Sequence, residues 1–198
     1  SVLSPEKRGI LDCLRHVLAE DLHATENIPP FNNSAMDGFA VISDDVKDAS
    51  EDKPAQLSLI ETIAAGYAPT KCLEPGQAAR IMTGAMMPEG ADSVVMQEVT
   101  QLDGDEVKII EGVEKGENVR FTGESVKSGN RVMERGKLLR PQEVSMLASM
   151  NQSEVLVHKR PKVAVVSTGD ELTPLGEALE PGKIRDSNRY GIFAQLQE

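Results

Sequence analysis

The sequence predicts a mixed fold: an N-terminal helix belonging to a small α+β unit, an all-β region, and the opening of a parallel α/β sheet. Three observations predict it. Apolar residues at helical spacing occupy 5 to about 19, and short apolar runs separated by Gly, Pro or Asp occupy Phe39 to about Phe121. A nearly all-apolar run, Lys162 to Ser167, then follows the basic break Lys159-Arg160-Pro161, in the manner of a strand covered on both faces. The expected division is 1–28 with 122–160 for the α+β unit, 29–121 for the β-rich region inserted in it, and 161–198 for the start of the α/β sheet.

Taken in order, Ser4 caps a helix whose first turn holds Pro5 and Glu6, with Ile10, Leu11, Leu14, Val17 and Leu18 on one face. His16 and His23 flank its end without a carboxylate partner in view and read as surface residues. Pro29 and Pro30 fix φ, so Ile28 to Phe31 is expected as a rigid extended arm. Asn32, Asn33 and Ser34 then favour a turn, and Gly38 permits backbone closed to other residues before the apolar Phe39-Ala40-Val41. On residue types alone, Asp37 is either an ordinary turn aspartate or a carboxylate aimed outward at a fixed angle.

The acid-rich piece Ser43 to Lys53 reads as a solvated loop. Strands are expected at Leu57 to Ile60, Ala79 to Met82, Ser93 to Met96 and Val107 to Ile110, with a hairpin turn at Asp103-Gly104-Asp105. Gly129 to Leu139 suggests another hairpin, and Pro141 opens a helix with Val144, Leu147 and Ala148 on one side. Glu154 to His158 and Lys162 to Ser167 read as strands, and a short helix runs from about Asn188 to Leu196. A crossover unit needs roughly 30 residues or more, so 161–198 has room for the opening of a doubly wound sheet only.

Composition excludes several function classes. At 39% apolar and 27% charged the chain is ordinary globular protein, so disorder is excluded as an overall description. Thirty-two acids against 21 bases give a net charge of -11, which repels nucleic acid and anionic lipid. Aromatics make up 3% with no Trp, so stacking platforms for single strands are scarce. Cys13 and Cys72 lie far apart with no CxxC, which points away from zinc and towards a reducing cytoplasm. No run reaches the roughly 18 apolar residues of a membrane span. An ordinary nucleotide-binding enzyme is a weak reading, since neither GxGxxG nor a GKS/GKT loop occurs.

Three blocks carry a family resemblance. They are Asn32-Asn33-Ser34-Ala35-Met36-Asp37-Gly38-Phe39-Ala40-Val41; Arg80-Ile81-Met82-Thr83-Gly84-Ala85 leading to Val94-Val95-Met96-Gln97-Glu98; and Val166-Ser167-Thr168-Gly169-Asp170-Glu171-Leu172 leading to Pro181-Gly182-Lys183-Ile184-Arg185-Asp186-Ser187-Asn188-Arg189. In this order they resemble the molybdopterin molybdenumtransferases, of which the gephyrin E domain is a relative. The resemblance spans nearly the whole chain, but the family pattern continues beyond it with SGG and PGNP turns and a further β domain. The resemblance therefore implies an N-terminal fragment, either naturally truncated or part of a longer parent. In that family another helix precedes the first one here.

What the resemblance implies is insertion of molybdate into adenylylated molybdopterin with release of AMP and a need for Mg2+. Asp37 and Glu171 match the family's acidic residues and would serve the cation or oxyanion. Thr83 and Gly84 match positions near the active site, where a hydroxyl donates to an anion or orients substrate and Gly allows close approach. Asp170 stands beside Glu171 at a strand's carboxyl end; on residue types alone both read equally as caps or turn residues. Arg120, Lys183, Arg185 and Arg189 are the local bases for phosphate or molybdate, with Asp186 and Asn188 orienting them, although residues of these types are usually only solvated surface charge. Ser125 departs from the pattern, which has Asp after Gly-Glu or Gly-His, and it supplies no negative charge. A homodimer pairing the β domain of one copy with the α/β domain of another is implied, as are contacts with other proteins of the cofactor pathway. The rival expectation is a non-catalytic interaction or dimerisation module of a gephyrin-like scaffold.

Overall fold

A computed structural model describes residues 3–197, which divide into two compact units, Pro5–His158 and a smaller one made of residues 3–4 with 159–197. In chain order the larger unit contains β1 (Pro5–Gly9), β2 (Leu22–His23), β3 (Asn33–Ser34), β4 (Gly38–Val41), α1 (Ser43–Val46), β5 (Ala55–Ile63) and β6 (Gln77–Ile81). It continues with β7 (Ser93–Met96), β8 (Thr100–Asp103), β9 (Glu106–Ile109), β10 (Val119–Arg120), β11 (Arg131–Met133), α2 (Pro141–Ser149) and β12 (Glu154–His158). The smaller unit contains β13 (Leu172–Thr173), β14 (Ile184–Arg185) and α3 (Asn188–Gln195).

The N-terminal segment is a strand rather than the expected helix. β1 pairs antiparallel with β12, from Pro5 opposite His158 to Gly9 opposite Glu154, and only Ile10–Asp12 forms one 3-10 turn. Helical spacing was satisfied locally, but pairing with a strand about 150 residues away wins, a case of tertiary context overriding pattern. The supposed apolar face is split accordingly: Leu18 is fully buried while Leu11 is 88% exposed. His16 is buried rather than on the surface, with Nδ1 3.3 Å from Leu14 O.

The expected hairpin at 129–139 does not close on itself. β11 pairs with β2, while Leu138 bridges Val17, so both arms lie along the N-terminal segment. Cys13, Leu18, Leu22 and Ala24 thereby meet Met133, Leu139, Leu147, Met150, Val155 and Val157 in one core. α2 forms as expected behind Pro141, with Leu147 buried.

Glu143 fixes the start of α2. It accepts from Arg140 N at 3.0 Å, from Arg140 Nε at 3.0 Å and from Arg140 Nη2 at 2.6 Å. These charge-assisted bonds hold its carboxyl at about 2 against an ordinary 4.5, despite the opposing pull of burial. A carboxylate depressed on folding contributes stability above its unfolded value and loses it as pH falls through the folded one. Glu143→Gln is therefore expected to lower the thermal midpoint at neutral pH, and the two melting curves are expected to converge as pH drops from 4.5 towards 2. Calorimetry across that range checks it.

The β-rich region folds into one six-stranded sheet in the order β7-β4-β6-β5-β9-β8, antiparallel except for the parallel pair β5 and β6. The Asp103-Gly104-Asp105 turn makes the β8–β9 hairpin, with Asp103 opposite Glu106. One face of the sheet buries Phe39, Val41, Leu57, Val95, Val107 and Ile109, and the other buries Ala40, Ile63, Ala79, Ile81 and Val94. Ser43 to Lys53 is not wholly a solvated loop: its first turn is α1, and Val46 seals the first face at 0% exposure. Ser43 is tied there by Asp92, whose carboxylate accepts from its amide at 2.7 Å and its hydroxyl at 3.0 Å.

In the smaller unit β13 and β14, two residues each, pair in parallel and α3 follows both. Lys162 to Ser167 forms no strand, and Val163 and Val166 are 57% and 78% exposed. An apolar run becomes a strand only against a ladder partner, and β13 and β14 pair with each other. No helix among the described residues is long and apolar enough to cross a membrane.

Candidate functional site

The segment Ile28 to Phe31, expected as an extended arm, bends after Ile28. Ile28 O accepts from the amides of Ser125 and Val126 at 3.0 and 3.1 Å, and Pro29 O accepts from the amide of Gly123 at 2.9 Å. Thr122 Oγ1 lies 3.3 Å from Pro29 O and donates to Pro30 O at 3.1 Å, and its amide donates to Asn32 Oδ1 at 2.9 Å. Carbonyls that a free prolyl arm would leave to water are thus folded onto 122–126. β3 follows, with Asn33 opposite Arg120 and Ser34 opposite Val119 on β10.

The turn after β3 is closed by Ser34, whose hydroxyl donates to Met36 O at 2.5 Å. Gly38 then begins β4, and its role is close approach rather than unusual φ. A Cβ there would stand 2.9 Å from Val95 C and 3.1 Å from Met96 Cα and collide with Val95 O, so β4 and β7 pair at this spacing only with glycine. This fixes the backbone immediately after Asp37. Asp37 O also accepts from Gln97 N at 3.1 Å.

The side chain of Asp37 is held from the end of β6. Thr83 donates to Asp37 Oδ1 twice, from its amide and from its hydroxyl, each at 2.7 Å. Gly84, at φ +80, turns the chain so that its own amide donates to Ser34 O at 2.8 Å. Two donors on one oxygen hold the Asp37 carboxyl below its ordinary value, with the positive charge of Arg80 adding to the effect. Oδ2 takes no hydrogen bond among the described residues, and the residue is exposed. The Thr83 hydroxyl proton is committed to Asp37, so this side chain positions the carboxylate. A cleft of about 370 Å³ lies before β3, lined by Pro30, Phe31, Asn32, Met86, Met87 and Thr122 among others, and neither Asp37 nor Thr83 lines it.

The larger unit thus brings together Asp37, Thr83 and Gly84, with Arg120 reached through β3. Ser125 bonds by its amide to Ile28 O, and its side chain is exposed. Arg80, whose charge acts on Asp37, was not singled out from sequence; its position opposite Phe39 in the sheet is a pairing no local pattern announces.

The remaining sequence-selected residues lie in the smaller unit. Ile184 N donates to Glu171 O at 2.8 Å, and the Glu171 carboxylate folds back over Gly169. Lys183 Nζ donates to Asp170 O, and Arg185 Nη1 donates to Pro174 O at 2.9 Å. Buried Asp186 accepts from the Arg189 amide at 3.3 Å and pairs with Arg189 Nε at 3.1 Å, at the start of the helix that Asn188 opens. A cavity of about 170 Å³ is lined by Ser167, Gly169, Leu172, Pro174, Asp186 and Arg189. Asp37 and Glu171 belong to separate units.

A hard divalent cation takes oxygen ligands, commonly one or two carboxylates completed by substrate phosphate and water. Asp37 Oδ2 fits one such position. Among the described residues no three His, Cys, Asp or Glu side chains group as a metal-binding set.

Comparison with known proteins bears on the fold and the family. The chain is 41% identical over 182 residues to the molybdopterin molybdenumtransferase of Nostoc sp., covering 92% of this chain and 42% of that protein. It is 40% identical over 191 residues to the Bacillus subtilis protein of the same name, covering 94% and 44%. The crystal structure of the molybdopterin biosynthesis moeA protein from Pyrococcus horikoshii OT3 superposes with a TM-score of 0.90 at 36% identity, covering 98% of this chain and 52% of that one. The chain spans less than half the length of these two curated relatives. Residues 2–151 match the family described as MoeA N-terminal region (domain I and II), and the chain belongs to that family.

Proposed function

We propose that the protein containing this chain inserts molybdate into adenylylated molybdopterin and releases AMP; the name molybdopterin molybdenumtransferase, carried by its relatives, supports the transfer of molybdenum to molybdopterin. The observation that carries the reading is the Asp37 carboxylate, ionised, exposed and held on one oxygen by Thr83. In this reading Asp37 of the larger unit and Glu171 of the smaller one are each a carboxylate for Mg2+, which would supply charge neutralisation at phosphate. Thr83 fixes the angle of Asp37, Gly84 leaves room for substrate, and Arg120, Lys183 and Arg185 meet its anionic groups. The Asp170 carbonyl holds Lys183 and the Asp186 carboxylate holds Arg189, at the start of the helix that Asn188 opens. The homodimer implied by the resemblance belongs to the same proposal, and mass in solution tests it. Incubating the complete protein with adenylylated molybdopterin, Mg2+ and molybdate tests the activity: AMP release supports the reading, and its absence removes it.

One observation favours a second reading, a non-catalytic interaction module. Ser125 stands where the resembled pattern has Asp, and a hydroxyl neither binds a cation as a carboxylate does nor takes up a proton at neutral pH. If the enzyme reading holds, Ser125→Asp is expected to raise AMP release by about 10-fold, on the scale of an adjusted outer-shell group. Equal rates in the two proteins would count against any role for this position.

A further inference from the structure

We propose that Arg80 is a receptor for a tetrahedral oxyanion, the phosphate of the substrate or molybdate itself, bound beside Asp37 at the end of the β4–β6 pair. This rests on the enzyme reading above and adds to it a role for a residue that stands in the second motif block but is given none there.

Arg80 is the one charged side chain in β4, β6 and β7, whose sequences are GFAV, QAARI and SVVM. It sits on β6, an inner strand, opposite Phe39 of β4 and Thr62 of β5. Residues directly opposite share a face, so Arg80 lies on the side that buries Phe39, towards the end of β4 that Asp37 precedes. An inner strand is a costly place for a guanidinium, which normally takes a carboxylate partner when removed from water. Arg80 is half-buried, yet among the described residues it makes no hydrogen bond or ion pair, and Asp37 stands near enough to sense its charge. Its five donors form a planar fork suited to two oxygens of a tetrahedral anion.

The neighbours favour an anion over a direct carboxylate pair. Asp37 Oδ1 is already occupied by the two Thr83 donors, which turns that carboxylate towards the β6 end without closing it on Arg80. An anion at Arg80 would face the Asp37 charge, and a divalent cation on Oδ2 would offset that repulsion, so anion and cation are expected to bind together.

Two measurements test this. In the complete protein, Arg80→Met keeps the buried stem and removes the fork. It is expected to raise KM at least 10-fold for whichever substrate supplies the anion, adenylylated molybdopterin or molybdate, with kcat changed less than 3-fold. Arg80→Lys is expected to fall between, and carries the test if the Met variant does not fold. Unchanged KM for both substrates, in a protein that Asp37→Asn inactivates, overturns the proposal and leaves the enzyme reading standing. If the complete protein releases no AMP, the second measurement still decides. Titrating the 198-residue chain with inorganic phosphate, and separately with molybdate, each with Mg2+, is expected to move the amide resonances of Thr83 and Gly84. That response is expected to weaken at least 10-fold in Arg80→Lys or Arg80→Met; no response in the wild type, or an equal one in the variants, overturns the proposal.

Discussion

In the complete protein, Asp37→Asn is expected to lower the rate of AMP release by about 10² to 10³-fold, the scale of removing one preorganised electrostatic group from a reaction centre. The substitution keeps shape and the oxygen that accepts from Thr83, and it removes the charge. Folding is expected to survive, with the thermal midpoint lowered modestly at neutral pH, since the ionised form is the one Thr83 stabilises. Thr83→Val tests the same arrangement from the other side. It removes the hydroxyl donor and leaves the amide donor, so the carboxylate keeps one of its two anchors. A loss of about 10 to 100-fold is expected, as for other supporting groups. The double variant is expected to be no worse than Asp37→Asn alone, because the two side chains act as one unit. Multiplying losses would mean that Thr83 has a separate role at the substrate.

Gly38→Ala carries the largest expected effect on the fold. The added methyl meets main-chain atoms of Val95 and Met96 rather than a side chain that could rotate away. β4 and β7 must separate or slide, which disturbs Phe39 opposite Val95 and Ala40 opposite Val94 at the centre of both cores. A cost of about 3 kcal/mol is expected from overpacking of this kind. For a domain of this size that lowers the melting temperature by about 6 to 12 °C. Gly84→Ala is a useful contrast, because its φ of +80 is unfavourable for Ala but nothing lies within 4 Å of the new methyl. About 1 kcal/mol is expected there. Equal melting temperatures for the two variants would mean that the β4–β7 approach is less tight than described.

The sheet was largely legible because its strands are short apolar runs with strong punctuation. Ser93 to Met96 and the Asp103-Gly104-Asp105 turn stand where the residues put them. α2 was legible through Pro141. The N-terminal segment was not, because Ile10, Leu11 and Leu14 satisfy a helical period while the partner that makes residues 5–9 a strand lies at 154–158. The same long-range pairing took apart the supposed hairpin at 129–139, whose halves answer to Leu22 and Val17. Lys162 to Ser167 failed for the opposite reason, an apolar run with no ladder to join.

At the site, residue types alone left Asp37 as one turn aspartate among many, and the resemblance of its surroundings drew attention to it. The bond that gives it direction spans 46 positions, to a Thr-Gly pair that is common in ordinary turns. Arg80 opens the second motif block, but nothing in that block gave it a role. A lone arginine in an apolar run reads as an interrupted strand until the register sets it opposite Phe39.

The most direct measurement is the titration of the Asp37 side-chain carboxyl by carbon NMR, in the wild-type chain and in Thr83→Val. The expected result is a midpoint below the ordinary aspartate value in the wild type, rising towards that value when the Thr83 hydroxyl is gone. An ordinary midpoint in the wild type, unmoved by Thr83→Val, would contradict the claim that this turn presents a fixed, ionised carboxylate.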